Sequence, residues 1–263
     1  MFEYNNIRFE IGDEVAVLTL NRPQALNAFT NPLLDELEDA LGRLEQEKLA
    51  RTLVLTGAGR AFSSGADLEE MNGIPPETRD MGARLEARFN PMLERFRSFP
   101  MPIVAAVNGV AAGGGLGFAL AADVVIAARS AFFLCPFSKI GLVPDVGATW
   151  NLPRLVGKAR ATGMMLLGER IPAEKAESWG LIWQAVDDDK LMETALGIAQ
   201  SLAAGPTFAL AKTRQAIAAG LESDLAESLA LERRNQALCG RTSDHLEGVA
   251  AFREKRKAVY KGE

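Results

Sequence analysis

The sequence predicts an α/β fold, and three observations carry that reading. Short β-branched runs alternate with leucine-spaced helical segments through the first half. A strand–strand–helix unit returns about every 45 residues, as pattern and not as repeated sequence. From Thr149 onward the chain reads mostly as helices, so a β-rich core gives way to a helical C-terminal part. The boundary is expected at 195/196, giving regions 1–195 and 196–263.

In chain order, 7–11 and 15–20 are β-branched runs separated by Gly12-Asp13, a hairpin signal. Asn31-Pro32 reads as a cap and first helical turn, because proline lacks only an N–H that would be unpaired there. Leu33, Leu37, Leu41 and Leu44 then fall on one face of a helix reaching about Gln46. Strands are expected at 52–56, 103–107, 124–127 and 131–135. A long amphipathic helix is expected over 79–99 and a glycine-started one over 113–122. In the second half, 181–186 is the one clear strand. Helices follow at 188–204, 206–219, 225–238 and 243–259, with stops at Gly205-Pro206, Gly220 and Gly240.

Composition narrows the function classes. The 263 residues carry 29 Lys+Arg against 34 Asp+Glu, a net charge of −5, which argues against general affinity for nucleic acid or an anionic membrane. Cys135 and Cys239 form no disulfide framework, and a single His245 leaves no histidine zinc cage. The start of the chain lacks the apolar core of a leader, and the most apolar stretch, 103–128, is interrupted by Asn108, Asp123 and glycines. A soluble, cytoplasmic protein is expected. Cys135 reads as strand packing, the run Met164-Met165-Leu166-Leu167 as helix core, and His245 as exposed in the first turn of the last helix.

Two glycine-bearing loops follow strands: Arg60-Ala61-Phe62-Ser63-Ser64-Gly65-Ala66-Asp67-Leu68, and Val107-Asn108-Gly109-Val110-Ala111-Ala112-Gly113-Gly114-Gly115-Leu116-Gly117. Each could be a tight turn or a place where backbone meets a ligand. A dinucleotide fingerprint fails because Leu120 stands where Gly or Ala is needed after Gly115 and Gly117. A phosphate-binding P-loop fails because Ala159 follows Gly157-Lys158.

Together with Leu20-Asn21-Arg22-Pro23-Gln24-Ala25-Leu26-Asn27-Ala28 and the segment from Ser243 to Lys257, these loops resemble the enoyl-CoA hydratase/isomerase (crotonase) superfamily over nearly the whole chain. The resemblance implies a spiral of ββα units forming an acyl-CoA-binding core, with C-terminal helices that build a homo-trimer or hexamer. It implies an acyl-CoA thioester substrate and an oxyanion hole made by the backbone N–H groups of Ala66 and Gly114. Gln24, Ala25, Ser64, Asp67, Leu68 and Phe137 would contact the substrate or its CoA. In this family, basic residues placed like Arg253, Lys255, Arg256 and Lys257 can also meet the CoA phosphates of a neighbouring subunit.

The acid–base groups separate the branches of this superfamily. Hydratases carry a glutamate at the position of Gly117 and a second at that of Phe137, and neither residue here can move a proton. One carboxylate remains, in Gly141-Leu142-Val143-Pro144-Asp145-Val146-Gly147. Asp145 is either the cap of the next helix or the proton carrier of the site. Dienoyl-CoA isomerases resemble the chain at Asp145 but carry a glutamate where Phe137 stands. The run 137–154, with Trp179-Gly180-Leu181-Ile182-Trp183-Gln184, resembles instead a branch of isomerases that act on an aryl-epoxide CoA thioester with one aspartate and no cofactor. A fatty enoyl-CoA or dienoyl-CoA isomerase is the alternative, decided by how 71–85 shapes the acyl pocket. Some relatives bind RNA; the acidic balance and lack of a basic stripe argue against that role here.

Overall fold

The computed structural model describes residues 3–72 and 74–263. Met1 and Phe2, where the segment read as lacking a leader begins, and Gly73, within the 71–85 stretch, lie outside the described residues.

Strand β1 (Ile7–Gly12) pairs antiparallel with β2 (Val15–Leu20). Asp13 and Glu14 make the turn with φ of 52° and 59°, both left-handed, matching the twist of a two-residue hairpin. The turn thus sits one residue later than Gly12-Asp13. Helix α1 (Asn31–Glu47) is capped by Thr30, whose hydroxyl accepts from the Leu33 amide, so the cap lies one residue before Asn31. Leu33, Leu34, Leu37, Ala40, Leu41 and Leu44 are its buried face.

Strands β3 (Thr52–Gly57) and β4 (Ala61–Ser63) follow. The single helix expected over 79–99 is three pieces: α2 (Met81–Arg84), a π-helical turn at Leu85–Phe89, and α3 (Asn90–Ser98). Pro91 supplies the reason. It has no N–H to donate and its ring crowds the carbonyl four residues earlier, which the wider turn relieves. Next come β5 (Ile103–Val107), β6 (Val110–Ala112), α4 (Gly114–Leu120), β7 (Val124–Ala128) and β8 (Phe132–Leu134). Helix α4 and strand β8 are shorter at both ends than expected.

Helix α5 (Ala148–Leu167) breaks at Gly157, which has φ 76° and ψ 161°. Met164 is buried, but Leu166 and Leu167 are 69% and 55% exposed, so that run is not wholly core. Then follow β9 (Ile171–Pro172), α6 (Ala173–Ser178), β10 (Gln184–Val186), α7 (Leu191–Ala203), α8 (Thr207–Gly220), α9 (Leu225–Cys239) and α10 (Ser243–Glu254). Strand β10 keeps only the last half of the expected 181–186. Helix α10 stops at Glu254 instead of 259 because Lys255 turns left-handed and the tail folds back. The buried Asp244 carboxylate accepts the amides of Lys261 at 2.6 Å and Gly262 at 2.8 Å.

The strands form a six-stranded sheet, β1-β2-β3-β5-β7-β10, and a four-stranded sheet, β4-β6-β8-β9. From β3 to β8, successive strands alternate between the sheets, so the chain advances as a spiral of ββα turns. All pairings after the hairpin are parallel except β8–β9. Every residue of β3 and β5 is buried, as expected for parallel strands covered on both faces. Helix α7 crosses β2, β3, β5 and β7 and buries Leu191, Ala195, Ala199 and Ala203. The expected 195/196 boundary falls inside this helix. Helix α9 buries none of its residues. Among the described residues, no helix is long and apolar enough to cross a membrane.

Candidate active site

The two glycine loops and the segment after β2 are joined by hydrogen bonds. A 3-10 turn over Pro23–Ala25 leads into Leu26 and Asn27, both left-handed at φ 50° and 54°. The Leu26 carbonyl accepts from the Ser64 amide at 2.9 Å, the Phe29 amide donates to the Gly65 carbonyl at 2.8 Å, and the Phe29 carbonyl accepts from the Asp67 amide at 2.9 Å. In this strand-like pairing of Phe29 with Ala66, the neighbours of Ala66 make the bonds, so its own N–H faces the other way.

Asn27 fastens the arrangement. It is fully buried, its Nδ2 donates to the carbonyls of Ala58 and Ala61 at 2.9 and 2.7 Å, and its Oδ1 accepts from the Arg22 amide at 2.9 Å. Its carbonyl accepts from Ser63 Oγ, which in turn accepts from the Gly65 amide at 3.1 Å. Neither Asn27 nor Ser63 was singled out from the sequence. The signal was present in Asn27, since asparagine tolerates the left-handed region better than most residues.

Gly65 and Gly113 shape the centre. Their φ values, 99° and 52°, are ones L side chains rarely adopt, and a Cβ on Gly65 would lie 3.0 Å from the Ala112 carbonyl and 3.1 Å from the Gly114 nitrogen. Gly114 opens α4, so its N–H has no partner inside the helix. A Cβ on Gly114 would stand 3.9 Å from the Ala66 nitrogen, which places the two amides side by side. Among the described residues neither amide has an acceptor outside its own element. Behind them sits an aromatic wall: Phe89 lies 3.7 Å from that Cβ position, and its ring is 6.2 Å from Phe29 and 6.3 Å from Phe118. Two fixed donors against an apolar wall can hold an oxygen that becomes negative during reaction, each contributing about 2.7–4 kcal/mol.

Asp145 lies in the turn before α5, next to Val146, whose Cγ2 is 3.3 Å from a Cβ on Gly114. The residue capping α5 is Gly147, with no side-chain cap bond, and Asp145 contributes only its carbonyl, which accepts from Ala148 at 2.9 Å. The carboxyl is free of the capping role. Its Oδ1 is buried with no hydrogen-bond partner among the described residues. Burial raises its pKa from 3.8 to about 6, only partly offset by its own backbone amide. The Cys135 thiol is pushed up to about 12 by its burial and by the charge of Asp145, so Cys135 is core and no thiolate nucleophile at neutral pH.

The remaining expected positions divide in two. Phe137 is buried, with its ring edge 3.7 Å from a Cβ on Gly113, inside the site. Gln24 and Leu68 are exposed and Ala25 and Ser64 half-buried along the paired loops. Asp67 is already engaged: Oδ2 pairs with Arg22 at 2.9 Å and Oδ1 accepts from the Glu69 amide at 3.1 Å, so its visible work is to hold the loop. Of the basic cluster, Arg256 is paired with Glu247 and Glu254, while Arg253, Lys255 and Lys257 are exposed. His245 is exposed in the first turn of α10.

Comparison with known proteins gives the family of the chain. Residues 10–263 match the enoyl-CoA hydratase/isomerase family. The chain is 47% identical over 249 residues to the 1,2-epoxyphenylacetyl-CoA isomerase of Escherichia coli K12, covering 94% of this chain and 95% of that protein. It is 48% identical over 261 residues to a Rhodobacter capsulatus protein named a probable enoyl-CoA hydratase, covering 98% and 99%. The crystal structure of an enoyl-CoA hydratase from Bacillus anthracis superposes with a TM-score of 0.93 at 36% identity, covering 98% of this chain and all of that one. By the family match across nearly its whole length, and by relatives this similar, the chain belongs to the enoyl-CoA hydratase/isomerase family, enzymes that act on CoA thioesters.

Proposed function

We propose that this enzyme is an acyl-CoA isomerase that converts 2-(1,2-epoxy-1,2-dihydrophenyl)acetyl-CoA to its oxepin isomer, with Asp145 as the proton carrier. The observation that carries this reading is the Asp145 carboxyl, half-buried and unpartnered at Oδ1, in a turn whose next residue, Val146, packs against Gly114. The thioester oxygen accepts from the N–H groups of Ala66 and Gly114. The ring carbon–carbon bond shared with the epoxide breaks, and the six-membered ring becomes a seven-membered oxygen heterocycle. Asp145 takes a proton from the carbon next to the thioester, the charge rests on the thioester oxygen, and the proton returns at a ring carbon. Atoms and electrons balance without a cofactor. A carboxyl with a pKa near 6 is basic enough to take the proton and acidic enough to return it.

Some relatives are named hydratases, but Gly117 and Phe137 give this site no glutamate pair for adding water. Gln24, Ala25, Ser64 and Leu68 border the CoA in this reading, and Phe137 walls the acyl group. The exposed apolar residues Phe252, at 86%, and Leu225, at 74%, support burial of the C-terminal helices in a homo-trimer or hexamer. The test is a panel of CoA esters: the epoxide, crotonyl-CoA, a 3-enoyl-CoA and a dienoyl-CoA. Turnover of the epoxide well above the rest is expected. Preference for the 3-enoyl or dienoyl ester would make the enzyme a fatty acyl-CoA isomerase, and fast hydration of crotonyl-CoA would overturn the reading.

A further inference from the structure

Asp145 presents a problem of orientation. A buried carboxylate oxygen is normally aimed by the hydrogen bonds it accepts, and Oδ1 of Asp145 accepts none among the described residues. That leaves its direction to its own backbone amide and to the turn that carries it. The next residue, Val146, has φ 46°, where a β-branched residue is seldom held, and it is buried. Val146 is wedged against α4 at two points one turn apart. Its Cγ2 lies 3.3 Å from where a Cβ on Gly114 would stand. A Cβ on Gly117 would overlap the Val146 carbonyl oxygen and come within 2.8 Å of both Cβ and Cγ1 of Val146. On the other side, a Cβ on Gly147 would meet Leu93 of α3 at 2.9 Å, so the turn is confined from both faces.

We infer that Val146 is a positioning residue that aims the Asp145 carboxyl at the substrate, and that position 117 is glycine to admit it. The contact ties the proton carrier to the helix that supplies the Gly114 amide, so the two halves of the site keep one register. It rests on the reading of Asp145 as proton carrier. It also changes what Gly117 means. The position is not a vacant glutamate site, because the backbone of Val146 fills it.

The test uses the full-length enzyme with Val146→Gly, Val146→Thr and Gly117→Ala. The readouts are kcat and its pH profile on the epoxide ester, and the Kd for phenylacetyl-CoA, a ligand that cannot react. Glycine accepts φ 46° without strain, but Val146→Gly also gives up a buried side chain, so its kcat and Kd are read well below its own measured Tm. Its kcat should fall about tenfold to a hundredfold, the scale of a misplaced reacting group, with Kd little changed. The acid limb should also move to lower pH, because the loosened turn hydrates the carboxyl. The Cys135 thiol, which also faces Asp145, stays neutral through that range. Val146→Thr keeps the branching and should restore most of the rate. If Gly117→Ala folds it should lose kcat in the same way; if it does not, Val146→Gly carries the test. A parental kcat in Val146→Gly, or a loss with the acid limb unmoved, would overturn the inference. Should Asp145→Asn retain parental turnover, the proton-carrier reading fails and takes this one with it. If Asp145→Asn is inactive and Val146→Gly is not, only the positioning role fails.

Discussion

Replacing Asn27 with alanine should destabilise the protein strongly. The side chain makes three hydrogen bonds in a fully buried position. Ala61 keeps a partner, because Asn108 Nδ2 also donates to its carbonyl at 3.2 Å. The Arg22 amide and the Ala58 carbonyl lose theirs. Two orphaned groups at about 1–3 kcal/mol each, plus about 1 kcal/mol for alanine held left-handed, give about 3–7 kcal/mol. At about 2–4 °C per kcal/mol for a chain of this size, Tm should drop by about 6–28 °C. Calorimetry at one fixed protein concentration measures it. Asn27→Gly separates the two terms: it loses the same bonds but accepts φ 54°, so it should be about 1 kcal/mol more stable than Asn27→Ala. A loss below about 1 kcal/mol in Asn27→Ala, or a glycine variant less stable than the alanine one, would refute the reasoning.

Four further outcomes follow from the same structure. The folded protein holds the Asp145 proton up to about pH 6, while the unfolded chain releases it near 3.8, so the ionised carboxyl opposes folding above that window. Asp145→Asn should therefore gain about 1–2 kcal/mol at pH 8 in denaturant titrations, and the gain should vanish below about pH 4. Turnover by the parent should rise with pH through about 6 and then level off, if Asp145 acts as base; a flat profile would remove it from that role. Crotonyl-CoA hydration, followed by loss of the enoyl absorbance, should be weak or absent, and Gly117→Glu should not create it, because the Val146 carbonyl occupies that space. Sedimentation at micromolar concentration should show a trimer or hexamer, which Phe252→Asp, at an 86% exposed apolar position, should weaken if α10 takes part; a stable parental monomer would contradict the assembly.

Much of the fold was legible because its cause is local. The β-branched runs that became β1, β2, β3, β5 and β7, and the leucines of α1, carry their own periodicity. Strands β4, β6 and β9 were not read, since two or three residues hold no period and exist only because the spiral brings them beside one another. The break in the helix over 79–99 was signalled by Pro91, which the amphipathic pattern overrode. Ala66 and Gly114 were picked out through the family resemblance, and Asp145 through that resemblance and by elimination. The work of Asn27, Ser63 and Val146 was not, because each acts on a partner distant in sequence: Asn27 on Ala61, Ser63 on Asn27, and Val146 on Gly117. Asp67 shows the converse: it looks like a ligand contact in the motif, yet its oxygens close an ion pair and a turn.

The central claim is that one carboxyl, Asp145, moves the proton while backbone amides hold the thioester. Asp145→Asn keeps the shape of the residue and removes the basic oxygen. The decisive measurement is its kcat on the epoxide ester beside its Kd for phenylacetyl-CoA, with Tm as a control for folding. Turnover should fall by about a hundredfold or more, the scale of losing a general acid–base group, while on this account Kd stays near the parent's, since the thioester would be held by the backbone amides of Ala66 and Gly114. A folded Asp145→Asn enzyme with parental turnover would contradict the claim and leave the site without a proton carrier.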